Sequence, residues 1–251
     1  MELRRKPFQG VLNIIRFNWH FYLIAGICLT ILAICSKEIP EPFRDLVTII
    51  SYITVSTVVI SLAVSCYIYD FSKLYNFDWL PPANFKTALN INAGFDETST
   101  LLKQKYQHIN LTICDFYNPI KHTEISLRRA RIAYPPIENT LKVSTEKLPF
   151  NTHTFDIVYA IFSAHEIRNH EERECFFQEL HRITKPNGCI VVTEHLRDRF
   201  NFLAYTVGFF HFHSKSTWKK TFIKADLKIE KEIKTTPFIT TFKLIKNGST
   251  S

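Results

Sequence analysis

Two long apolar segments without charges occupy the first 78 residues. Between Arg16 and Lys37, and again between Asp45 and Asp70, runs of 20 and 24 residues contain no Asp, Glu, Lys or Arg. A helix of about 20 apolar residues crosses the ~30 Å hydrocarbon layer of a bilayer. We therefore predict an N-terminal region over 1–78 that holds two transmembrane helices, at about 17–36 and 46–69. A cleaved signal peptide is the alternative for the first segment, but the second apolar segment follows too closely to favour it.

Further along the chain, shorter apolar runs alternate with helical patterns. Near-continuous apolar runs predict buried strands at 86–92, 109–114, 154–162 and 189–194. Helical spacing at 96–106 and 170–184 separates them. This alternation predicts an α/β domain with a parallel sheet that helices cover on both faces. The domain, over 79–246, ends in a helix at 216–227 and an antiparallel hairpin, and residues 247–251 form a predicted disordered tail.

Charge and cysteine content indicate the compartment. The net charge is +8, and the first 78 residues, with seven basic and six acidic side chains, supply +1 of it. Basic residues precede the first apolar segment, whereas the connection between the two segments carries more acids than bases, so the positive-inside rule puts the domain in the cytoplasm. Six cysteines without a CxxC pair suit reduced thiols. The basic domain suits anionic lipid headgroups, and we expect no nucleic acid partner because no zinc finger or aromatic RNA-binding motif is present.

Four sequence segments carry a family resemblance. ALNINAGFDE, TICDFYNP, STEKLPF and ELHRITKPNGCIVVTE follow one another between residues 88 and 194. In this order they resemble the successive motifs of class I S-adenosylmethionine-dependent methyltransferases. The resemblance implies a Rossmann-like class I methyltransferase sheet, methyltransferase activity and S-adenosylmethionine as the cofactor.

The same resemblance implies which residues bind the cofactor. Asp115, after the second strand, would accept hydrogen bonds from the ribose hydroxyls, and Phe116 would either stack on adenine or fill the core. The turn after the first strand departs from the family pattern, because Asn90 replaces an acid and Asp96 replaces a glycine, although Asp96 can cap the next helix. The cofactor-binding residues implied are Asn90, Asn92, Ala93, Gly94, Asp115, Phe116, Ser144 and Thr145.

Polar residues at the carboxyl ends of strands are the catalytic candidates. His165 and Glu166 follow the fourth strand, at the edge where open α/β sheets bind ligands. A histidine with an ordinary pKa of ~6.5 suits a general base, and helix capping is the alternative role for His165. The segment HEIRNH does not match HExxH, because its second histidine, His170, comes five residues after the first instead of four. We therefore predict no metal site.

Acceptor-binding candidates lie in two further places. Residues 118–139 form a connection longer than an ordinary loop, either an extra helix or a functional loop, with several basic and polar side chains. The end of the fifth strand adds another polar group. The predicted substrate-binding residues are His122, Glu124, Arg128 and His195. The aromatic segment 200–213 suits a core helix, a membrane-contact helix or the wall of an apolar acceptor channel.

Three functional hypotheses follow. The first is a membrane-anchored methyltransferase that acts on a lipophilic small molecule, such as a phenolic, quinone-like or lipid acceptor. The second is a catalytically silent methyltransferase-like binding or scaffold protein, which the altered glycine turn favours. The third, a nucleotide-cofactor oxidoreductase, ranks last because the turn lacks GxGxxG.

Overall fold

Two long helices precede the domain. The computed structural model describes residues 5–80 and 85–248, and in it α1 spans Gln9–Cys35 and α2 spans Phe43–Cys66. Both are long and apolar enough to cross a membrane. Each begins earlier than predicted, and residues 36–42 connect them. Helix α2 continues into a π-helical turn at Tyr67–Phe71.

The domain is built on one seven-stranded sheet with the strand order β3-β2-β1-β4-β5-β7-β6. Strands β1 to β5 pair in parallel, and β7 pairs antiparallel with both β5 and β6. The predicted Rossmann-like sheet with an antiparallel C-terminal hairpin is confirmed. The strands are β1 Thr87–Asn92, β2 Asn110–Asp115, β3 Leu141–Lys142, β4 Phe155–Ile161, β5 Thr184–His195, β6 Leu227–Thr236 and β7 Ile239–Lys246. The helices are α3 Ser99–Lys105, α4 Ile125–Ala133, α5 His170–Ile183, α6 Arg199–Tyr205 and α7 Lys215–Lys224.

Strand β4 shows how the core divides between the two faces of the sheet. Its alternate residues Ile157 and Tyr159 pack into one apolar cluster with Leu102 of α3. Val158 and Ala160 pack into the other, which contains side chains of α5 and α7. Successive side chains of a strand point to opposite faces, so an uninterrupted apolar strand indicates burial on both.

The two long helices are docked on the domain at their bases. The two helices are first joined to each other: the Asp70 carboxylate, after α2, accepts hydrogen bonds from the Gly10 and Val11 amides of α1 at 2.7 and 2.9 Å. Glu97, in the loop after β1, pairs with Arg5 at 3.0 Å. Ser65 of α2 contacts the Tyr205 hydroxyl at 3.5 Å. The hairpin therefore packs beside the carboxyl end of β1, at the end of the sheet where the parallel strands terminate.

Several predicted boundaries differ from the structure. Helix α3 begins at Ser99, and Asp96 accepts hydrogen bonds from the Thr98 and Ser99 amides instead of opening the helix itself. The connection 118–139 contains the extra helix, α4. Strand β5 already begins at Thr184, because it pairs with Phe155 before a register shift. Of the predicted tail, residues 247 and 248 form a turn and 249–251 lie outside the described residues.

Candidate functional site

The turn after β1 keeps its shape through asparagine side chains. The Asn92 carboxamide oxygen accepts a hydrogen bond from the Gly94 amide at 2.8 Å. The Asn90 side chain donates from Nδ2 to Thr98 Oγ1 at 2.9 Å and to Ser99 Oγ at 2.7 Å. Gly94 has a φ of 95°, a conformation that glycine adopts without strain. Asn90 and Asn92, both buried with Ala93, therefore hold the turn instead of facing open space.

Asp115 lies next to this turn and forms an ion pair with α4. Its carboxylate is 3% exposed, accepts the Tyr117 amide at 2.8 Å and is 2.6 Å from Arg131 Nη1. The Arg131 guanidinium also lies over the Tyr117 ring, 4.3 Å from its centroid. A Cβ at Gly94 would lie 2.0 Å from Arg131 Nη1. Arg131 therefore fills the space that the glycine leaves.

Helix α4 is connected to α1 on its other side. Arg129 donates to the Phe17 carbonyl at 2.7 Å, beside Asn18, whose backbone interrupts the helical geometry of α1. The Tyr134 hydroxyl donates to the Asn13 side chain at 3.0 Å. Arg128, a predicted substrate-binding residue, is exposed on the same helix. These contacts therefore link α1 through α4 to Asp115.

Three further predicted cofactor residues differ in their surroundings. Phe116 is fully buried, 5.1 Å between ring centroids from Phe176, so it fills the core. Ser144 is exposed and its hydroxyl accepts the Glu146 amide. Thr145 is buried and its hydroxyl donates to the Glu172 carboxylate at 2.5 Å.

His165 lies between two carboxylates at the carboxyl ends of β4 and β5. Its Nδ1 is 2.7 Å from Glu194 Oε2, and its Nε2 is 3.3 Å from Glu166 Oε1. Burial disfavours a charged imidazole, but Glu194 and Glu166 outweigh it and raise the pKa of His165 to about 10. Burial likewise opposes ionisation of Glu166, yet His165 lowers the pKa of that carboxyl to about 2. His165 is therefore not the neutral base with an ordinary pKa that the sequence predicts.

His211 joins this cluster from the short helical turn Thr206–His211 after α6. Its Nδ1 is 3.3 Å from Glu124 Oε1, and its Nε2 is 3.9 Å from Glu166 Oε1. Arg168 contacts both the ring and the carbonyl of His211. His211 was not among the residues predicted from the sequence, because only the overall folding brings it to His165.

His195, a predicted acceptor-binding residue, has partners on both ring nitrogens. Nδ1 is 2.8 Å from Asn201 Oδ1 and Nε2 is 2.7 Å from the Tyr69 hydroxyl. The ring stacks on Phe212, 4.7 Å between centroids. Burial lowers the pKa of His195 to about 4. Because Glu194 and His195 are neighbours on β5, their side chains lie on opposite faces of the sheet.

His122 lies in a cavity of about 590 Å³ beside the cluster. Its Nδ1 accepts the Asn118 amide at 2.9 Å, while its buried Nε2 has no partner among the described residues. Burial lowers the pKa of His122. The lining residues are Lys121, His122, Glu146, Arg168, Asn169, Glu171, Glu172 and Cys175. The cavity is therefore lined mainly by charged and polar side chains, while the unpaired Nε2 of His122 is itself buried.

Comparison with known proteins identifies the domain. Residues 89–192 match the methyltransferase domain family. Over 65 residues the chain is 40% identical to the demethylmenaquinone methyltransferase of Chlorobaculum tepidum, a match that covers 26% of this chain and about a quarter, 25%, of that protein.

Solved methyltransferase structures are similar at low identity. PigF with SAH has a TM-score of 0.49 and 15% identity, covering 68% of this chain and 59% of that chain. The S-adenosylmethionine-dependent methyltransferase from Aquifex aeolicus has a TM-score of 0.46 and 16% identity, covering 63% and 81%. The domain match covers β1 to β4 and most of β5, so this part of the chain is similar to methyltransferase domains.

The residues of the turn fit the cofactor of this family under one condition. Gly94 lets a ligand approach the backbone closely, and the buried Asp115 carboxylate suits a ribose diol. Arg131 lies against both groups. The guanidinium must therefore withdraw before a nucleoside can use them.

Proposed function

We propose that this chain is an S-adenosylmethionine-dependent methyltransferase, held at a membrane by its hairpin, that acts on a lipophilic acceptor such as a phenolic, quinone-like or lipid molecule. The proposal places the domain on the cytoplasmic side and involves no nucleic acid. The observation that carries it is the docking of two apolar helices on the ligand-binding edge of a methyltransferase-family domain.

The chain's own residues would hold the two reactants. S-adenosylmethionine supplies a sulfonium-bound methyl group, and transfer requires mainly that the acceptor atom lie in line with it. Asp115 and Gly94 would position the cofactor once Arg131 withdraws. His165 and Glu166, at the end of β4, would orient a polar group of the acceptor.

The acceptor class rests on two observations. α1 and α2 each contain an apolar stretch long enough to cross a membrane, so a lipid phase would begin close to the site. The Chlorobaculum tepidum relative is named for demethylmenaquinone, which is a quinone, although that match covers a quarter of each chain. Both favour a lipophilic acceptor over a water-soluble one.

A second candidate function is a catalytically silent binding or scaffold protein. The Arg131–Asp115 ion pair favours it, because the pair takes up the groups that a nucleoside would use. Binding of the cofactor without methyl transfer, or no binding at all, is what this alternative predicts.

Calorimetric titration of S-adenosylmethionine and S-adenosylhomocysteine into the detergent-purified full-length protein tests the cofactor. We expect saturable binding that Asp115→Ala removes and that Glu138→Ala, at an exposed carboxylate, leaves unchanged. Absence of binding by folded protein would favour the scaffold function.

A second assay tests the acceptor. The protein is incubated with methyl-labelled S-adenosylmethionine and membrane extracts, and label is counted in the organic and aqueous phases. We expect label in the organic phase. Label confined to the aqueous phase would overturn the lipophilic acceptor, and binding without any transfer would establish the silent alternative.

A further inference from the structure

A histidine–carboxylate cluster lies at the carboxyl ends of β4 and β5. Nitrogen or oxygen atoms of His165, Glu166 and His211 all lie within 4.8 Å of one another. We propose that these three side chains bind a divalent transition-metal ion, with Zn²⁺ as the representative. Ion binding is measured directly, so this assignment stands apart from methyl transfer.

The spacing of the atoms suits such an ion. In a tetrahedral zinc site with bonds of about 2.0–2.2 Å, neighbouring ligand atoms lie about 3.3–3.6 Å apart. His165 Nε2 and Glu166 Oε1 are 3.3 Å apart, and His211 Nε2 is 3.9 Å from the same carboxylate oxygen. These two distances differ by only a few tenths of an ångström from those of a bound state, and the third pair, His165 and His211, has its ligand atoms within 4.8 Å of each other.

Both histidines have a carboxylate beside Nδ1. In His165, Nδ1 lies 2.7 Å from Glu194, and in His211, Nδ1 lies 3.3 Å from Glu124 and also contacts the Arg168 guanidinium. Once Arg168 turns away, each carboxylate can accept a proton from Nδ1, and a bound ion would displace the proton on His165 Nε2 to solvent and take up that nitrogen's lone pair. In each residue the Nε2 atom is the one directed towards Glu166. Carboxylate–histidine–metal arrangements of this kind are a general feature of metalloprotein sites.

The charge of the cluster suits a cation. Glu124, Glu166 and Glu194 bring three carboxylates, and Glu194 is only 1% exposed. The Arg168 guanidinium is 3.7 Å from Glu124 and contacts the His211 ring. Because its side chain is 36% exposed, Arg168 can turn to solvent and release His211.

The ligand set also selects the kind of metal. Two imidazoles and one carboxylate suit zinc and ferrous iron, whereas magnesium and calcium prefer oxygen ligands alone. Three protein ligands leave coordination positions open, as in catalytic metal sites. The predicted absence of a metal rested on His170, which is 72% exposed, whereas the second histidine of this cluster is His211.

Calorimetry with Zn²⁺ alone tests the site in the full-length, chelator-stripped protein, purified in detergent without a polyhistidine tag. We expect one ion per chain, and affinity at least tenfold lower in His211→Ala and in Glu166→Gln. His170→Ala, an exposed histidine of the same region, is the matched control and should leave affinity unchanged. Visible absorption of the Co²⁺-loaded protein should show imidazole ligation that His211→Ala weakens.

The proposal would be overturned if folded wild-type protein showed no saturable Zn²⁺ binding. It would also be overturned if His211→Ala and Glu166→Gln bound Zn²⁺ with wild-type affinity. Tighter binding of Mg²⁺ than of Zn²⁺ would overturn the metal class. Circular dichroism of each variant verifies that lost affinity does not reflect lost folding.

Discussion

The site divides into two halves that balance charge differently. In the cofactor half, at the ends of β1 and β2, Asp115 meets Arg131, so one carboxylate faces one guanidinium. In the acceptor half, at the ends of β4 and β5, three carboxylates meet two imidazoles and one guanidinium. The same end of one sheet therefore holds a region closed by its own side chains and a region with surplus negative charge.

Acid should destabilise the protein most strongly through His195, which lies on the other face of the sheet from Glu194. Buried His195 has a folded-state pKa of about 4, below the unfolded value of about 6.5. The unfolded state therefore binds the proton first, so stability is fully present above pH ~6.5 and falls as the pH drops towards 4. The full loss, reached below pH 4, is on the order of 3 kcal/mol, of which about 2 kcal/mol falls between pH 7 and pH 5. Denaturant unfolding of detergent-purified protein at pH 7 and pH 5 measures it.

The variant His195→Gln tests the assignment. Its stability at pH 7 should be lower, because the Tyr69–His195–Asn201 hydrogen bonds are disturbed, but its loss between pH 7 and pH 5 should be smaller than in wild type. His170→Gln, at an exposed histidine, should keep the wild-type pH dependence. An unchanged pH dependence in His195→Gln would assign the acid sensitivity to other groups.

Next in size is the ion pair of the cofactor half. Arg131→Ala should bind S-adenosylmethionine about tenfold more tightly, because the ligand no longer has to break a pair with a 2.6 Å contact. Titration calorimetry against wild type gives the ratio. Lys103→Ala, which removes an exposed positive charge from α3, should change nothing. Weaker binding in Arg131→Ala would mean that the guanidinium contacts the ligand directly.

The smallest effect tests how α1 supports the cofactor half. Asp70→Ala removes the carboxylate that accepts the Gly10 and Val11 amides and should destabilise the start of α1 by about 1 kcal/mol. Hydrogen exchange should quicken at 9–12 and at the turn that α1 touches through Phe17 and Phe95. Asp45→Ala, an exposed acid in the first turn of α2, serves as the control. Equal quickening in the acceptor half would show that the two halves open together.

Local patterns were sufficient for the elements of the fold. The nearly continuous apolar run of β4 and the apolar–polar alternation of β6 and β7 can be read within each segment, and each pattern indicates which faces of the strand are buried. Asp115 was placed correctly at the end of β2 for the same reason. Element boundaries were less accurate, because the register of β5 and the start of α3 depend on partners elsewhere in the chain.

Contacts between distant segments could not be predicted. The approach of His211 to Glu166, 45 positions away, requires the completed sheet and the turn after α6. The basic character of His165 depends on Glu194, which another strand supplies. Strand periodicity does contain one unused signal: adjacent residues Glu194 and His195 cannot face the same pocket.

The docked hairpin restricts orientation. Contacts of Glu97 with Arg5, of Phe95 with Phe17 and of Tyr205 with Ser65 join the helices to the domain at separate points, so the two cannot swivel independently. At 1.5 Å per residue, the part of α1 beyond Phe17 extends about 27 Å away from this junction. If the helices span a membrane, the site is held at a fixed distance from the lipid layer. It would then select ligands by how deeply the reacting atom lies in that layer rather than by the chemical groups around that atom. Position along the normal of a lipid layer would thus become a determinant of selectivity.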